Sequence, residues 1–342
     1  STASIISKAI YYRDDGEESC ESSSMHQAVD FVYGQEIRRI PFVFDARALD
    51  YARLWLVNVL VCLLSAGLLW PWARARSQRF FYQHTRLDGI EFGYRSHISK
   101  VLLIQLALVA ALLGLLISLL VWPWYAASGA VLLFAVLPLA LQKLQEFQLR
   151  NAFYGEQAWH YTASIKSTYV ALLAWPLLIL LTLGLAAPWA VMQIQRHLVE
   201  SRSCGQIKFT FHPHLKQYLS LLPPLLLANS LSLPVLYFHT IFPKPAVVFV
   251  VVLSWLLVAV RWRVLLNNLF WNSTRCSLGY FVAREDLRSY QKLWVRNNLY
   301  CVISFGLYWP WAKIARAQYK AQHLAFFANA RYKKWQQTLI EQ

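Results

Sequence analysis

Residues 51–74 read YARLWLVNVLVCLLSAGLLWPWAR, and residues 290–313 read YQKLWVRNNLYCVISFGLYWPWAK. Tyr, Trp, Asn, Cys, Gly, Pro and a second Trp recur at the same places in both stretches. A shorter third copy, GLAAPWA, occupies residues 184–190. Self-similarity of this kind indicates a chain built from repeated structural units. We therefore expect internal repeats to organise the fold.

Each copy of the motif predicts the end of one helix and the start of another. Glycine commonly follows the end of a helix, and proline fits the first turn of the next one. An apolar helix precedes the glycine and a basic helix follows the proline, and tryptophan beside such a break suits the headgroup layer of a membrane. The motif residues are Gly67, Pro71 and Trp72, then Gly184, Pro188 and Trp189, then Gly306, Pro310 and Trp311.

Short alternating segments lie between the helical stretches, at residues 41–44, 90–95, 158–161, 207–212 and 278–281. Period-two alternation with aromatic and β-branched residues is typical of β-strands. We expect these segments to pair into a small cytoplasmic sheet. The glycines expected in its turns are Gly89, Gly205 and Gly279.

The composition indicates a membrane protein, because 57% of the residues are hydrophobic and only 15% are charged. Residues 101–142, 167–195 and 217–243 contain no Asp, Glu, Lys or Arg. A charge-free apolar stretch of about 18 residues can span a bilayer. The sequence therefore predicts an all-α polytopic membrane protein with about seven apolar helices, some of them re-entrant, and the small sheet on the cytoplasmic side.

The formal net charge of +16 comes from bases that cluster beside apolar segments. This distribution follows the positive-inside rule, so we expect anionic lipid headgroups rather than nucleic acid as the partner of the basic face. Both flanks of the first and of the last apolar segment are basic, which favours repeat helices that enter the membrane part-way. Complete spans arranged as inverted repeats, a common transporter design, are the alternative.

The repeat pattern divides the chain into four parts. Residues 1–40 are polar and rich in Ser and Glu, and we expect them to form a mobile head. Residues 41–165 form the first repeat, residues 166–280 the second, and residues 281–342 a partial third repeat with a basic C-terminal helix.

The first copy resembles the YjgN-type bacterial inner-membrane proteins, a family of unknown function. The resemblance rests on Asn58 and Gly67, on the stretches WPWAR at 70–74 and RFFY at 79–82, and on TRLDG at 85–89 with FGY at 92–94. It covers about residues 40–335. The second copy departs from the pattern, because Ala186 and Ala187 replace the aromatic residue before Pro188. The resemblance implies an integral, multi-pass protein of the bacterial inner membrane and, through neighbouring genes, a zinc metallopeptidase as a partner.

Catalytic motifs are missing from the sequence. It contains no HExxH, GxSxG, P-loop or GxGxxG pattern, and its apolar segments contain no Asp or Glu. Cys204, His212 and His214 make an incomplete set of metal ligands, and the five scattered cysteines form no CxxC pair. We therefore expect no catalytic residues, no cofactor and no metal, and we do not expect an enzyme.

Polar residues inside apolar segments are the best candidates for a functional site. Asn58 and Asn297 occupy equivalent places in the repeats, and Asn229 lies in a segment broken by prolines. With Arg296 they are predicted to line a polar pocket between the repeats, although hydrogen bonding between helices is the simpler explanation. The basic residues expected to bind anionic lipid or a partner are Arg74, Arg76, Arg79, Lys313, Arg316 and Lys320.

Two functions are consistent with these features. A membrane scaffold or regulatory partner, for instance of an envelope zinc metallopeptidase, is the preferred one, because the apolar segments lack the ionisable groups that coupled transporters use. Such a protein needs no cavity. A transporter or lipid-handling protein is the alternative, and it requires a cavity large enough for a ligand.

Overall fold

A computed structural model describes residues 29–32, 35–95, 123–237 and 244–340, together with the isolated helical positions 103, 110, 113, 114 and 117. Of the predicted mobile head at residues 1–40, residues 1–28 lie outside the described residues. So does most of the apolar segment at 101–120. Two strands, Val29–Val32 and Gln35–Phe44, begin before residue 40.

The described residues contain eleven strands, and all their pairings are antiparallel. They are β1 (Val29–Val32), β2 (Gln35–Phe44), β3 (Thr85–Leu87), β4 (Ile90–Tyr94), β5 (Ala152–Tyr154), β6 (Gln157–Tyr161), β7 (Arg202–Cys204), β8 (Ile207–Phe211), β9 (Thr274–Cys276), β10 (Gly279–Ala283) and β11 (Leu324–Ala328).

Ten of these strands form a closed ring in the order β2-β11-β10-β9-β8-β7-β6-β5-β4-β3, and β3 pairs back with β2. The ring closes at β2, whose residues 38–41 pair with β11 while residues 42–44 pair with β3. β1 pairs with the start of β2. Closure removes the unpaired edges that open sheets leave exposed, so very short strands can form a stable sheet here.

Twelve α-helices lie in the described residues. They are α1 (Ala48–Leu64), α2 (Trp70–Gln83), α3 (Pro123–Arg150), α4 (Ile165–Tyr169), α5 (Trp175–Leu181), α6 (Ala187–Glu200), α7 (Leu215–Tyr218), α8 (Leu222–Tyr237), α9 (Lys244–Ser273), α10 (Leu287–Ile303), α11 (Trp309–Gln322) and α12 (Ala330–Ile340). A π-helical turn, Val170–Ala174, joins α4 to α5, and a 3-10 turn, Leu219–Leu221, joins α7 to α8.

Five units of the same design make up the ring. Four of them run from a long helix into a hairpin with a strand of three residues, a turn of two residues and a strand of five: α2-β3-β4, α3-β5-β6, α6-β7-β8 and α9-β9-β10. The fifth unit is α11-β11, and β2 from the other end of the chain completes its strand pair. The helices of these five units therefore all meet one end of the ring, which we call the helix end. The hairpin turns lie at the other end, the turn end.

The hairpin turns explain part of the local sequence. Asp88 and Gly89 both have positive φ angles, 53° and 79°, as a two-residue turn of type I′ requires. Gly205, at φ +55°, is likewise in a turn, as predicted. Gly279, predicted as a turn residue, is instead the first residue of β10.

The three copies of the sequence motif form three breaks of the same geometry, between α1 and α2, between α5 and α6, and between α10 and α11. At the first break Ala66 has φ +48° and Gly67 has φ +83°, and the Gly67 N–H donates to the Cys62 carbonyl at 2.7 Å. The other two breaks repeat this Schellman-type ending, with Leu183 and Gly184 and then with Phe305 and Gly306. The predicted helix stop and restart are therefore confirmed.

The prediction of an all-α polytopic membrane protein with about seven apolar helices and a small sheet is wrong. The structure is a closed ten-stranded antiparallel ring surrounded by helices. Among the described residues, only the helical stretch Val247–Ser273, with 27 residues, is long and apolar enough to cross a membrane by length and composition. The sequence misled because strands of three residues carry almost no alternation signal, and because the breaks limit α1 and α10 to 17 residues each.

Candidate functional site: a cavity inside the strand ring

Five aromatic side chains meet inside the ring, one from each unit. They are the third residues of the five-residue strands, Phe92, Trp159, Phe209 and Phe281, and the matching Phe42 of β2. Neighbouring ring centroids lie 6.3 Å apart for Phe42 and Phe92, 6.4 Å for Phe42 and Phe281, 6.4 Å for Phe209 and Phe281, and 5.4 Å for Trp159 and Phe209. These distances are typical of interacting aromatic pairs. We call this set the aromatic collar.

The C-terminal helix α12 covers the turn end of the ring. Asn329 ties it there, since the Asn329 N–H donates to the Leu278 carbonyl at 2.9 Å, in the turn between β9 and β10. Tyr332 of α12 is almost fully buried, and its hydroxyl lies 3.2 Å from that of Tyr154. The Tyr154 hydroxyl donates to the Leu87 carbonyl at 2.9 Å, so Tyr332 must donate to Tyr154. Burial raises the pKa of Tyr154 to about 12, which keeps this pair neutral.

A cavity of about 230 Å³ runs through the collar and reaches α12. Its wall is almost entirely aliphatic and aromatic, and among the described residues that line it Arg202 is the only charged one. An engineered apolar cavity of about 150 Å³ stays dry and binds benzene, so this volume suits a larger apolar group. Besides the collar and Arg202, the cavity is lined by Leu87, Tyr154, Leu198, Val199, Cys204, Ile207, Phe270, Trp271, Thr274, Cys276, Leu278, Phe326, Tyr332 and Trp335.

A second cavity, of about 350 Å³, lies at the helix end of the ring. It shares Phe42, Phe92 and Trp271 with the first cavity, so the same three side chains form the wall between them. Lys320 of α11 and Tyr82 of α2 contribute its polar groups, and the Lys320 Nζ lies 5.4 Å from the centre of the Trp271 ring. We call this cavity the mouth.

A third cavity, of about 750 Å³, lies between α1, α2 and α11. It shares Phe81 and Tyr82 with the mouth, and it extends to Gly67 and Trp70 at the first break. The three cavities therefore adjoin one another in a series from the break between α1 and α2 to the inside of the ring.

The charged residues along this series are all basic. Arg202 lines the ring cavity, Lys320 the mouth, and Arg74 and Lys313 the third cavity, whereas no Asp or Glu among the described residues lines any of the three. Burial lowers the pKa of Arg202 and the pKa of Lys320, because it disfavours their charged forms. The Nε of Arg202 has no hydrogen-bond partner within the described part of the chain. The series therefore combines an apolar surface with unneutralised positive charge.

The predicted polar pocket residues do not meet in one place in the structure. Asn58 joins α1 to α2: its amide donates to the Ala73 carbonyl at 3.1 Å and to the Ser77 hydroxyl at 3.3 Å. Asn229 instead donates to the Leu183 carbonyl at 3.4 Å, next to the second break. Only Asn58 lines one of the three cavities, the third, and Arg296 is exposed.

Asn297 has the same place as Asn58 but different neighbours. It is 3% exposed, and neither amide atom has a partner among the described residues. Arg316 stands where the first unit has Ser77, and its Nε donates to the Ala312 carbonyl at 3.1 Å. Ala312 corresponds to Ala73, so the guanidinium takes the acceptor that Asn297 would use. The motif is thus repeated, but its hydrogen bonds are not.

The predicted basic surface is divided between outside and inside. Arg74 and Arg79 are exposed, and the guanidinium of Arg76 lies 4.5 Å from the Trp72 ring centre. Arg316 packs in the same way on Trp309, at 4.9 Å. Lys313 donates to the Tyr51 hydroxyl at 2.9 Å and, like Lys320, lines a cavity.

Sequence reasoning missed Arg202, the collar and Glu285. The collar has a signal, since an aromatic residue always stands third in the longer strand; the five segments that carry it were predicted to pair into a sheet, but not to close into a ring. Glu285 follows β10, and its side chain is 1% exposed. Its carboxylate accepts from the Asn267 amide at 2.8 Å and lies 3.8 Å from the Arg263 guanidinium. Burial raises the pKa of Glu285, although Arg263, Lys320 and His323 oppose the shift.

The apolar lining of the ring cavity is suited to binding an apolar group. The buried thiol of Cys204 is a poor nucleophile, because burial raises its pKa to about 12. Within the described ranges, no three His, Cys, Asp or Glu residues lie close enough to hold a metal ion. An apolar chamber with basic groups at its entrance remains as the chemically distinctive feature.

By fold and site, the protein is a ring of five helix-and-hairpin units that encloses an apolar cavity. Residues 39–341 match the model of a family described as "Bacterial protein of unknown function (DUF898)", and the chain therefore belongs to that family. The resemblance to the YjgN-type proteins is confirmed, because these form the same family. Searches of curated proteins and of solved structures find no match.

Proposed function

We propose that the protein is a lipid-handling protein of the bacterial inner membrane, which binds the apolar chain of a lipid inside its strand ring. The observation that carries this proposal is the cavity of about 230 Å³ within the aromatic collar. A scaffold needs no such chamber. Each methylene group moved from water into an apolar site contributes about 0.8 kcal/mol, so an alkyl chain is the simplest ligand for an interior lined by aromatic and aliphatic side chains.

Exposed apolar surface supports a membrane location. The three breaks expose large apolar side chains, of which Phe305 is 97%, Leu64 is 89% and Leu183 is 74% accessible. Val248 and Phe249 are exposed on α9. Contiguous apolar patches of this kind mark contact with a membrane or a partner. A bilayer fits best, because tryptophans and basic residues border the breaks.

The connectivity supports an even number of crossings between β8 and β9. β8 leads into α7 and α8 at the helix end of the ring, and α9 returns to β9 at the same end. If α9 crosses the bilayer, the segment from α7 through α8 must cross it in the other direction. The protein would then be a multi-pass protein, with the ring on the cytoplasmic side next to anionic headgroups and the three breaks inserted part-way.

The adjoining cavities mark a route for a lipid. The third cavity reaches Gly67 and Trp70 at the first break, where the membrane would lie, and the mouth lies next to the collar. A chain that leaves the bilayer between α1 and α11 would pass along these cavities to reach the ring. No single observation favours the scaffold function with a zinc metallopeptidase over this one, and it stays a prediction.

Filling the cavity tests the proposal. The chain is purified in a mild detergent, and bound lipids are extracted and counted by mass spectrometry. Cys204→Trp places an indole in the ring cavity, whereas Thr210→Trp places it on the exposed face of β8. We expect about one lipid per chain in the wild type and in Thr210→Trp, and a loss of that lipid in Cys204→Trp. Equal lipid content in all three, or a metallopeptidase in equal amount without lipid, would refute the proposal.

A further inference from the structure

At the helix end of the ring, one strand carries a charge that the other units lack. The first residues of β3, β5, β7, β9 and β11 occupy equivalent places there, and they are Thr85, Ala152, Arg202, Thr274 and Leu324. The other four are neutral and mostly small, so packing of the ring does not require an arginine here. Arg202 faces inward, since it lines the ring cavity together with Cys204 of the same strand.

Lys320 approaches the same region from the opposite side of the ring. It comes from α11, lines the mouth, and lies over the Trp271 ring at 5.4 Å. Tyr82 also lines the mouth, and Arg202 is close enough to lower the pKa of its hydroxyl against the effect of burial. Lys320 and Tyr82 therefore line the mouth, and Arg202 lines the ring cavity that adjoins it.

Neither cation is neutralised by a neighbour. Within the described ranges, no carboxylate lies within 4.0 Å of Arg202 or of Lys320, because neither takes part in an ion pair. Glu285 raises the pKa of Lys320 from a distance, but it contacts Asn267 and Arg263 and lines none of the cavities. Partly buried cations without a counterion are costly, and an anionic ligand would remove that cost.

We infer that two positive charges, Lys320 at the mouth and Arg202 in the adjoining ring cavity, select the anionic headgroup of a single-chain amphiphile, a carboxylate or a phosphate, while its chain passes through the aromatic collar. This inference rests on the proposed function, since it needs the chain inside the ring. It adds the class of ligand, an anionic amphiphile, and the residues that select it. Arginine and lysine both bind such oxyanions, arginine through two parallel hydrogen bonds.

Four ligands with the same chain of twelve carbons separate the headgroup from the chain. The full-length protein is placed in nanodiscs of zwitterionic lipid, and binding of dodecanoate, dodecyl phosphate, dodecanol and dodecyltrimethylammonium is measured by native mass spectrometry. We expect both anions to bind at least tenfold more tightly than dodecanol, and the ammonium ligand to bind most weakly. Inorganic phosphate alone should bind more than a hundredfold more weakly than dodecyl phosphate.

Variants assign the preference to the two side chains. Lys320→Met and Arg202→Met should each reduce the preference for anions about tenfold while dodecanol binding stays within twofold, and Lys320→Arg should keep the preference. Lys208→Met, which removes an exposed cation from β8, is the control and should behave like the wild type. Equal binding of anions and dodecanol, an unchanged preference in both Met variants, or tight binding of free phosphate would overturn the headgroup site. Failure of all four ligands, dodecanol included, would refute the proposed function itself.

Discussion

Asn58 and Asn297 allow the same substitution to be made at equivalent places with opposite expected results. Asn58 is 5% exposed and makes hydrogen bonds to the Ala73 carbonyl, the Ser77 hydroxyl and, as acceptor, the Arg76 guanidinium at 3.4 Å. Each net hydrogen bond contributes about 1 kcal/mol, and two of the three are long. Asn58→Leu should therefore lower the free energy of unfolding by about 1–2 kcal/mol.

Asn297→Leu should act in the other direction. Its buried amide has no partner among the described residues, and an unsatisfied buried polar group costs about 1–3 kcal/mol. Leucine has a similar size and removes that cost, so the free energy of unfolding should rise by about 1–3 kcal/mol. The two variants should then differ by about 2–5 kcal/mol.

Reversible unfolding with increasing SDS in mixed micelles, followed by circular dichroism, measures this difference. Arg316→Ser gives Asn297 the hydroxyl neighbour that Asn58 has in Ser77, so in that background Asn297→Leu should no longer stabilise. A destabilisation of similar size in both single variants would show that the two asparagines have equivalent surroundings, and our explanation of the difference would be wrong.

Two further predictions concern Glu285 and the breaks. Burial raises the pKa of Glu285, so folding favours its protonated form. The stability that Glu285 contributes is therefore present below its pKa in the unfolded chain, and it is lost as the pH rises through its pKa in the folded protein. Glu285→Gln should therefore remove part of the fall in unfolding free energy between about pH 4.5 and pH 7 in a pH series of denaturant titrations, and an unchanged slope would contradict the assigned cause. At the third break, a cysteine in place of Phe305 should be protected in membrane vesicles from a maleimide that cannot enter lipid. Thr210→Cys on the ring should react once the vesicles are opened. Rapid labelling of both cysteines would exclude insertion of the break.

The breaks were predictable because their geometry demands particular residues. A left-handed position followed by Gly67 and a proline in the next first turn leaves a pattern that survives in three units. The longer strands were predictable for a similar reason, since Ile90–Tyr94 and Ile207–Phe211 alternate clearly.

Closure of the ring could not be predicted in this way. It depends on the pairing of β2 with β11 and β3, between segments that are distant in sequence and whose register no local pattern encodes. The units containing α3 and α9 lack the break motif, so a fivefold arrangement appeared in the sequence as three copies. The same holds for the site, because Arg202 and Lys320 look like ordinary surface bases in the sequence and only the closed ring places them in two adjoining cavities.

The most direct test of the proposed function is to locate the lipid chain. A fatty alcohol with a diazirine group at the end of its chain is added to the protein in nanodiscs and activated by light, and the modified peptides are sequenced by mass spectrometry. The proposal predicts adducts on the collar strands, at Phe209 and Phe281, that excess dodecanol suppresses. Adducts confined to α9 and to the breaks around Leu64 and Phe305 would place the chain in the surrounding bilayer only and would contradict it.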